Sequence, residues 1–215
     1  MKPKILDLFC CGGGAGKGYA DAGFEVVGVD ILPQPKYPFE FHCADALEFL
    51  KDNHGDFDAV HASPPCQAYT SSTKQWRGEG RKYPDYVALT RAALDATGLP
   101  YVIENVPSSP LQDPMMLCGE MFGLKTYRHR LLESNCNIHA PPHPPHSAPQ
   151  TKMGRPPKDG EYIQVVGHFS GVPFAREAME IDWLGQKELA QAIPPAYTKF
   201  IGLQIMEIIG ERRAA

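Results

Sequence analysis

DLFCCGGGAGKG, residues 7–18, is the stretch whose reading decides the fold. The apolar run KILDLF (residues 4–9) passes straight into glycines, and GKGYADAG (16–23) then reads as the helix that follows. A strand, a glycine-rich turn and a helix start in succession form a unit that cradles a nucleotide-like ligand. Glycine lets the backbone approach such a ligand with no Cβ between them. Lys17 is followed by Gly18 and not by Ser or Thr, so this is not a Walker loop, and its spacing departs from the dinucleotide Gly-x-Gly-x-x-Gly pattern. Taken alone, the stretch is either a cofactor turn or a structural one.

The pattern continues outward. FEVVGVDI (24–31), FDAVHAS (57–63) and PYVIENV (100–106) are short runs rich in Val and Ile. DYVALTRAALDATG (85–98) has helical periodicity, with Asp85 placed as N-cap and Gly98 past the end. Strands alternating with helices predict an α/β fold, a mostly parallel sheet with helices on both faces. Residues 139–158, HAPPHPPHSAPQTKMGRPPK, cannot form a helix or sheet interior and read as an extended excursion. EYIQVVGHFS (161–170) regains strand character, QKELAQAI (186–193) reads as a helix, and a Pro-Pro break precedes an amphipathic helix, YTKFIGLQIMEIIGE (197–211).

The 215 residues allow one domain with a modest insert, and 43% hydrophobic with 21% charged residues excludes a wholly disordered chain, a coiled coil or a collagen-like repeat. No apolar run reaches the length of a membrane span, and the N-terminal run reads as a first strand and not an export signal. Six cysteines in this context, two of them adjacent, fit a reducing cytoplasm better than a disulfide framework. The expected location is the cytoplasm of a prokaryotic cell or of a virus-infected host. A net charge of −4 does not suggest a surface coated for nucleic acid, although local clusters matter more than the total.

Four further features carry candidate chemistry. Asp30 ends the second strand about 20 residues after the glycines, where a carboxylate accepts ribose hydroxyls or caps the next turn. Asp45, in HCADALEF, either faces the base of a cofactor or caps the helix ALEFLK. Cys66, in SPPCQ (63–67), follows two prolines just past a strand end, and is either a nucleophile or an inert buried thiol. Glu104, in ENV (104–106), is a general-acid candidate or a surface carboxylate, and Arg128 and Arg130, in Tyr127-Arg128-His129-Arg130, alternate as on one face of a strand. The arginines would then hold an anion or carbonyl oxygen, or protect an exposed edge strand.

In this order, the glycine turn, strand-end Asp, Pro65-Cys66-Gln67, Glu104-Asn105-Val106 and Arg128-x-Arg130 resemble the S-adenosylmethionine-dependent cytosine-5 methyltransferases. The likeness runs from residue 5 to about 134 and resumes at about 180–205. It implies a Rossmann-like S-adenosylmethionine-dependent methyltransferase fold, with residues 1–134 and 180–215 as catalytic and cofactor-binding domain and 135–179 as a short Pro/His-rich insert serving as a reduced target-recognition region. Cys66 would attack carbon 6 of cytosine, Glu104 would protonate or hydrogen-bond ring nitrogen 3, and Arg130, supported by Arg128, would hold the carbonyl oxygen at position 2. Phe9, Gly12, Gly13, Gly14, Asp30, Ile31, Asp45, Ala46 and Pro65 would line the cofactor, and Gln67 would face nucleic acid.

The expected activity is therefore DNA (cytosine-5-)-methyltransferase, on a base swung out of the duplex. DNA is the expected partner because most of the family acts on it, with neither a membrane nor an obligate protein partner. An RNA substrate of the tRNA type, or a non-catalytic binding role, is the alternative, and a nicotinamide-dependent enzyme fits the glycine and Pro-Cys-Gln patterns poorly. Four departures stand out: Cys11 replaces the family's first glycine, Thr126 its glutamine, Gln191 the asparagine of a Gly-Asn-x-Val-Pro-Pro element, and the region between Arg130 and residue 180 is short.

AYTSSTKQWRGEGRKYP (68–84) carries Lys74, Arg77, Arg81 and Lys82 and two glycines. It is either a mobile basic loop that closes over a flipped base onto phosphates or an ordinary solvated loop. Arg155, in a Gly-Arg-Pro core, reads as a minor-groove hook or as part of a basic linker. Cys136, His139, His143 and His146 match no known zinc spacing, so no metal is expected.

Overall fold

The computed structural model describes residues 2–70, 73–152 and 154–214. Ser71, Ser72 and Met153, within the two basic segments just named, lie outside the described residues.

Seven strands form one sheet: β1 (Lys4–Leu8), β2 (Glu25–Asp30), β3 (Glu40–Cys43), β4 (Ala59–Ala62), β5 (Tyr101–Asn105), β6 (Met115–Leu117) and β7 (Arg130–Ser134). Their order is β3-β2-β1-β4-β5-β7-β6. The first five are parallel, while β7 runs antiparallel between β5 and β6. The order reverses between β1 and β4, and open α/β sheets bind ligands at the carboxyl ends beside such a switch point.

Alternation along β1 assigns the two faces. Ile5 packs with Tyr19 of α1 (Gly14–Ala22) and with Ile201 and Ile205 of α7 (Pro195–Ala214). Leu6 and Leu8 pack on the other face with Leu50 of α2 (Ala46–Asn53) and Leu94 of α4 (Tyr86–Asp95). Asp85 caps α4 by accepting from the amides of Val87 and Ala88, and Gly98 lies past its end at φ +67°. The segment after Cys66 contains a short helix, α3 (Lys74–Gly78). Helix α1 can lie against α7 because Gly18 has no side chain: a Cβ there would sit 2.1 Å from the carbonyl oxygen of Pro195.

Three sequence expectations are corrected. EYIQVVGHFS forms no strand; it makes one isolated bridge, Gln150 to Tyr162. Ile163, Val165 and Phe169 instead bury themselves with α5 (Val172–Met179), α6 (Gln186–Leu189) and residues 181–192 in a satellite core. The arginine pair does not share a strand face. Arg128 sits before β7 with φ +32° and points into the protein, and β7 is an interior strand and not an exposed edge.

Among the described residues, no helix is long and apolar enough to cross a membrane. All six cysteines are free thiols.

Candidate active site

The carboxyl ends of the parallel strands bring most of the expected residues to one edge. Phe9 and the glycine turn follow β1, Asp30 closes β2, Asp45 and Ala46 follow β3, and Pro65, Cys66 and Gln67 follow β4. Glu104 lies near the end of β5, and Arg130 opens β7 alongside it. An antiparallel neighbour puts the first residue of one strand beside the last of the other, and that is how a residue 26 positions away reaches Glu104.

Arg130 and Glu104 form an ion pair, Nε to Oε1 at 2.7 Å, with both side chains largely sealed from solvent. Burial raises the Glu104 carboxyl above its ordinary value, opposed by Arg130, a hydrogen bond from Ser63, and Arg128. Burial also raises the half-buried Cys66 thiol, as does the Glu104 charge, while Arg130 and Arg128 pull it down. Cys66 is thus electrostatically coupled to both members of the pair, and the balance between them sets its thiolate fraction.

Two residues that position this edge, one of them inside the Glu104-Asn105-Val106 motif but given no role there, are Asn105 and His61. Asn105 donates from Nδ2 to the carbonyl of Pro64 at 2.9 Å, tying the Pro-Pro-Cys turn to β5. His61 lies fully buried in β4, its Nδ1 2.9 Å from the Tyr19 hydroxyl and its Nε2 2.9 Å from the Ser63 hydroxyl. Burial pushes His61 down to about 3, so it is neutral and has one ring proton to share along the line Tyr19, His61, Ser63, Glu104. A histidine in the middle of the strand run AVHA (59–62) was the available signal.

The glycine-turn side of this edge is tightly built. Asp30 accepts the amides of Cys11 at 3.1 Å and Leu32 at 2.9 Å, so one carboxylate holds both the glycine turn and the turn after β2. Ile31 and Leu32, beside it, are 69% and 63% exposed, an apolar wall at the strand ends. Asp45 caps α2 through the amides of Leu47 and Glu48. The space beside Gly12, Gly13 and Gly14 is taken by protein: Leu184, Tyr37 with Pro38, and the Ile193 carbonyl lie where each Cβ would be. These glycines serve packing as well as any ligand. Phe9 and Cys11 have φ of 57° and 45°, in the left-handed region that favours glycine. Cys11 contacts the side chain of Gln191, Sγ to Oε1 at 3.7 Å, so two departures from the family pattern touch each other.

Below this turn lies Asp7. Its Oδ2 accepts the Tyr37 hydroxyl at 3.0 Å, while its fully buried Oδ1 has no hydrogen-bond partner among the described residues. Burial pushes its carboxyl up to about 7, against the Tyr37 bond and a Gly16 backbone bond that lower it.

Several basic residues engage the protein itself. Arg128 donates to the carbonyls of Ala192 at 2.7 Å, Ala190 at 2.9 Å and Val165, clamping the insert to the segment before α7. Arg77 donates to the carbonyls of Gln67 and Thr70 and to the Thr73 hydroxyl, folding the segment after Cys66 back on itself. Arg155 is held by both carboxylate oxygens of Glu161, at 2.7 and 2.6 Å, and so is not presented as an extended hook. Lys74, Arg81 and Lys82 are exposed, and Trp76 between them is 47% exposed.

No protein-family model matches the chain, and no curated protein sequence matches it. Solved structures do. Entamoeba histolytica methyltransferase EhMeth is similar with a TM-score of 0.60 and 13% identity, over 99% of each chain. The S. pombe Dnmt2 methyltransferase is similar with a TM-score of 0.60 and 11% identity, over 97% of this chain and 99% of that one. A DNMT2 mutant from Spodoptera frugiperda aligns at 16% identity and a TM-score of 0.48 over 75% of this chain, which spans about half, 55%, of that protein's length. At these identities the likeness is one of fold, and the chain has the Rossmann-like fold of these methyltransferases.

Proposed function

We propose that the protein transfers a methyl group from S-adenosylmethionine to carbon 5 of cytosine in DNA, through a covalent bond from Cys66 to carbon 6. The observation that carries this reading is the electrostatic coupling of Cys66, past the end of β4, to the buried Glu104–Arg130 pair on the neighbouring strands β5 and β7. A thiol coupled to one acid and one guanidinium is what cytosine demands, since its carbon 5 is too weak a nucleophile to act unaided.

The cofactor fits the residues present. Asp30 at the end of β2, with Ile31 exposed beside it, offers a carboxylate and an apolar face at the strand ends, and exposed apolar side chains grouped this way mark a ligand surface. Phe9, Gly12, Gly13, Gly14, Asp30, Ile31, Asp45, Ala46 and Pro65 would hold it. When bound it supplies an electrophilic methyl group on a sulfonium.

Cys66 loses its proton to solvent and its thiolate bonds to carbon 6, which moves electron density onto carbon 5. As Arg130 leaves it for the oxygen at position 2, Glu104 takes up a proton from solvent and presents it to ring nitrogen 3. The two side chains pair with each other in the free protein, so an entering base breaks that ion pair, Arg130 turning to the base oxygen while protonation neutralises Glu104. After transfer, carbon 5 gives up its hydrogen as a proton, the sulfur–carbon bond breaks, and Cys66 is regenerated. Gln67 and the segment bearing Lys74, Trp76, Arg81 and Lys82 lie directly after the nucleophile and would cover the flipped base, Trp76 by stacking and the cations on phosphates. Arg77 and Arg155 would reach nucleic acid only by giving up the internal bonds that hold them.

Nucleoside mass spectrometry on duplex DNA and on RNA, each incubated with the protein and S-adenosylmethionine, tests this. 5-Methylcytosine in DNA is expected, with a loss of about 10³-fold or more in Cys66→Ala. Product confined to RNA would keep the chemistry and replace the substrate. Undiminished product in Cys66→Ala would overturn the mechanism.

A further inference from the structure

A second cluster lies next to Arg130 and takes no part in this chemistry. Cys118 follows β6, His129 precedes β7, and His143 and His146 come from the Pro/His-rich segment. One ligand atom from each lies within 4.8 Å of all the others. His129 Nε2 is 3.0 Å from His143 Nε2 and 3.1 Å from His146 Nε2, and Cys118 Sγ is 3.9 Å from His146 Nε2.

Tetrahedral zinc bonds of about 2.0–2.1 Å to nitrogen and 2.3 Å to sulfur place neighbouring ligand atoms about 3.3–3.6 Å apart. The observed separations bracket that range. Hydrogen bonding does not account for the arrangement as well, because three Nε2 atoms converge and one ring proton serves one partner. A cation placed among them satisfies all four lone pairs together.

The surroundings hold the ligands in place. The Tyr127 ring stacks on His146 with centroids 3.7 Å apart, and its hydroxyl accepts from the amide of Ala148 at 2.8 Å. Ser147 bonds to Glu120 of the turn after Cys118. Pro141-Pro142 precede His143 and Pro144-Pro145 precede His146, so the backbone carrying both imidazoles has little freedom left to lose on binding.

We propose that Cys118, His129, His143 and His146 bind one zinc ion, which fastens the Pro/His-rich segment to the entry of β7. One thiolate and three imidazoles suit zinc over magnesium or calcium, and four protein ligands make a closed, structural site. Binding releases the Cys118 proton to solvent, so affinity rises with pH. The ion also steadies the candidate active site, because the Arg130 guanidinium donates to the carbonyl of His129 at 2.8 Å. The site stands whatever reaction the edge catalyses. It differs from the set that spacing alone suggested, since Cys136 and His139 are not among the clustered ligands.

The full chain, equilibrated with zinc and freed of excess metal, is expected to retain one zinc per chain by elemental mass spectrometry. Cobalt(II) in its place should give the intense visible bands of a tetrahedral site and a sulfur-to-cobalt charge-transfer band that Cys118→Ser removes. The exposed positions make His143→Ala and His146→Ala mild for folding, and each should weaken zinc retention at least about tenfold against a chromophoric chelator. Cys136→Ser and His139→Ala should retain one zinc. Zinc below about 0.1 per chain would overturn the proposal, as would a weak octahedral cobalt spectrum. So would metal lost in Cys136→Ser and His139→Ala but kept in His143→Ala and His146→Ala.

Discussion

Glu104 and Arg130 are nearly sealed from solvent, and each supplies the other's counter-charge at 2.7 Å. Cys118, His129, His143 and His146, joined to them through the His129–Arg130 peptide, converge as four electron-pair donors. The first group balances itself with protein charges and needs only a polar substrate to trade partners with. The second balances only around a cation. Asp7, beneath the glycine turn, is a third case: a fully buried carboxyl with a phenol and an amide beside it but no guanidinium, so burial pushes it up to about 7. Burial penalises charge at Glu104 and Asp7, and in each place the neighbours decide whether the groups are paired, coordinated or shifted.

The largest expected effect comes from removing the cation. Chelation should lower the melting temperature by about 10 °C, since a ligand at 1,000 times its dissociation constant stabilises by about 4 kcal/mol and a chain of this size shifts about 2–4 °C per kcal/mol. An unchanged melting curve, with zinc shown to have left, would place the cluster outside the folding unit.

Asp7→Asn comes next. The carboxyl is raised from 3.8 to about 7 in the folded protein, so its contribution is fully present below about pH 4 and is lost as pH rises through about 7. The variant should remove that slope and exceed the parent near pH 8 by up to an amount on the order of 4 kcal/mol. Denaturant unfolding of both proteins from pH 4 to 8 measures it, and parallel curves would show that Asp7 is ionised when folded.

A smaller pair of shifts tests the first group. Glu104→Gln removes the charge that raises Cys66 and frees Arg130, so alkylation of Cys66 at pH 7 should quicken several-fold; Arg130→Ala should slow it by a similar factor. Equal rates in the parent and both variants would uncouple the thiol from the pair. The smallest effect is expected at Cys11→Gly, where relief of a left-handed backbone gains at most about 1 kcal/mol. A loss of stability there would mean that the contact with Gln191 outweighs the strain.

Much of the parallel half was legible in the chain. β1, β2 and β5, and α4 with its Asp85 cap, follow from runs and caps that lie within a few residues of each other. The ends of β4 and β5 put Cys66 and Glu104 at one edge before any contact is known. β3, half polar in EFHC, and three-residue β6 carried too little pattern to stand out. EYIQVVGHFS misled because its apolar residues are buried, but in a satellite core: its amide at Ile163 goes to the Lys125 carbonyl and its carbonyl at Val165 to Arg128.

The sequence by itself determined the doubly wound α/β class, the glycine turn after β1 and the placing of Cys66 and Glu104 at strand ends. All of these depend on periodicity and on strand ends, which are local. Only the tertiary structure decided that Arg130 and not Arg128 meets Glu104, because that depends on β7 lying antiparallel beside β5 and on one left-handed residue before it. It alone chose Cys118 and His129 over Cys136 and His139 as partners of His143 and His146. Ligands up to 28 residues apart meet through the path of the backbone, and spacing along the chain carries no record of that path.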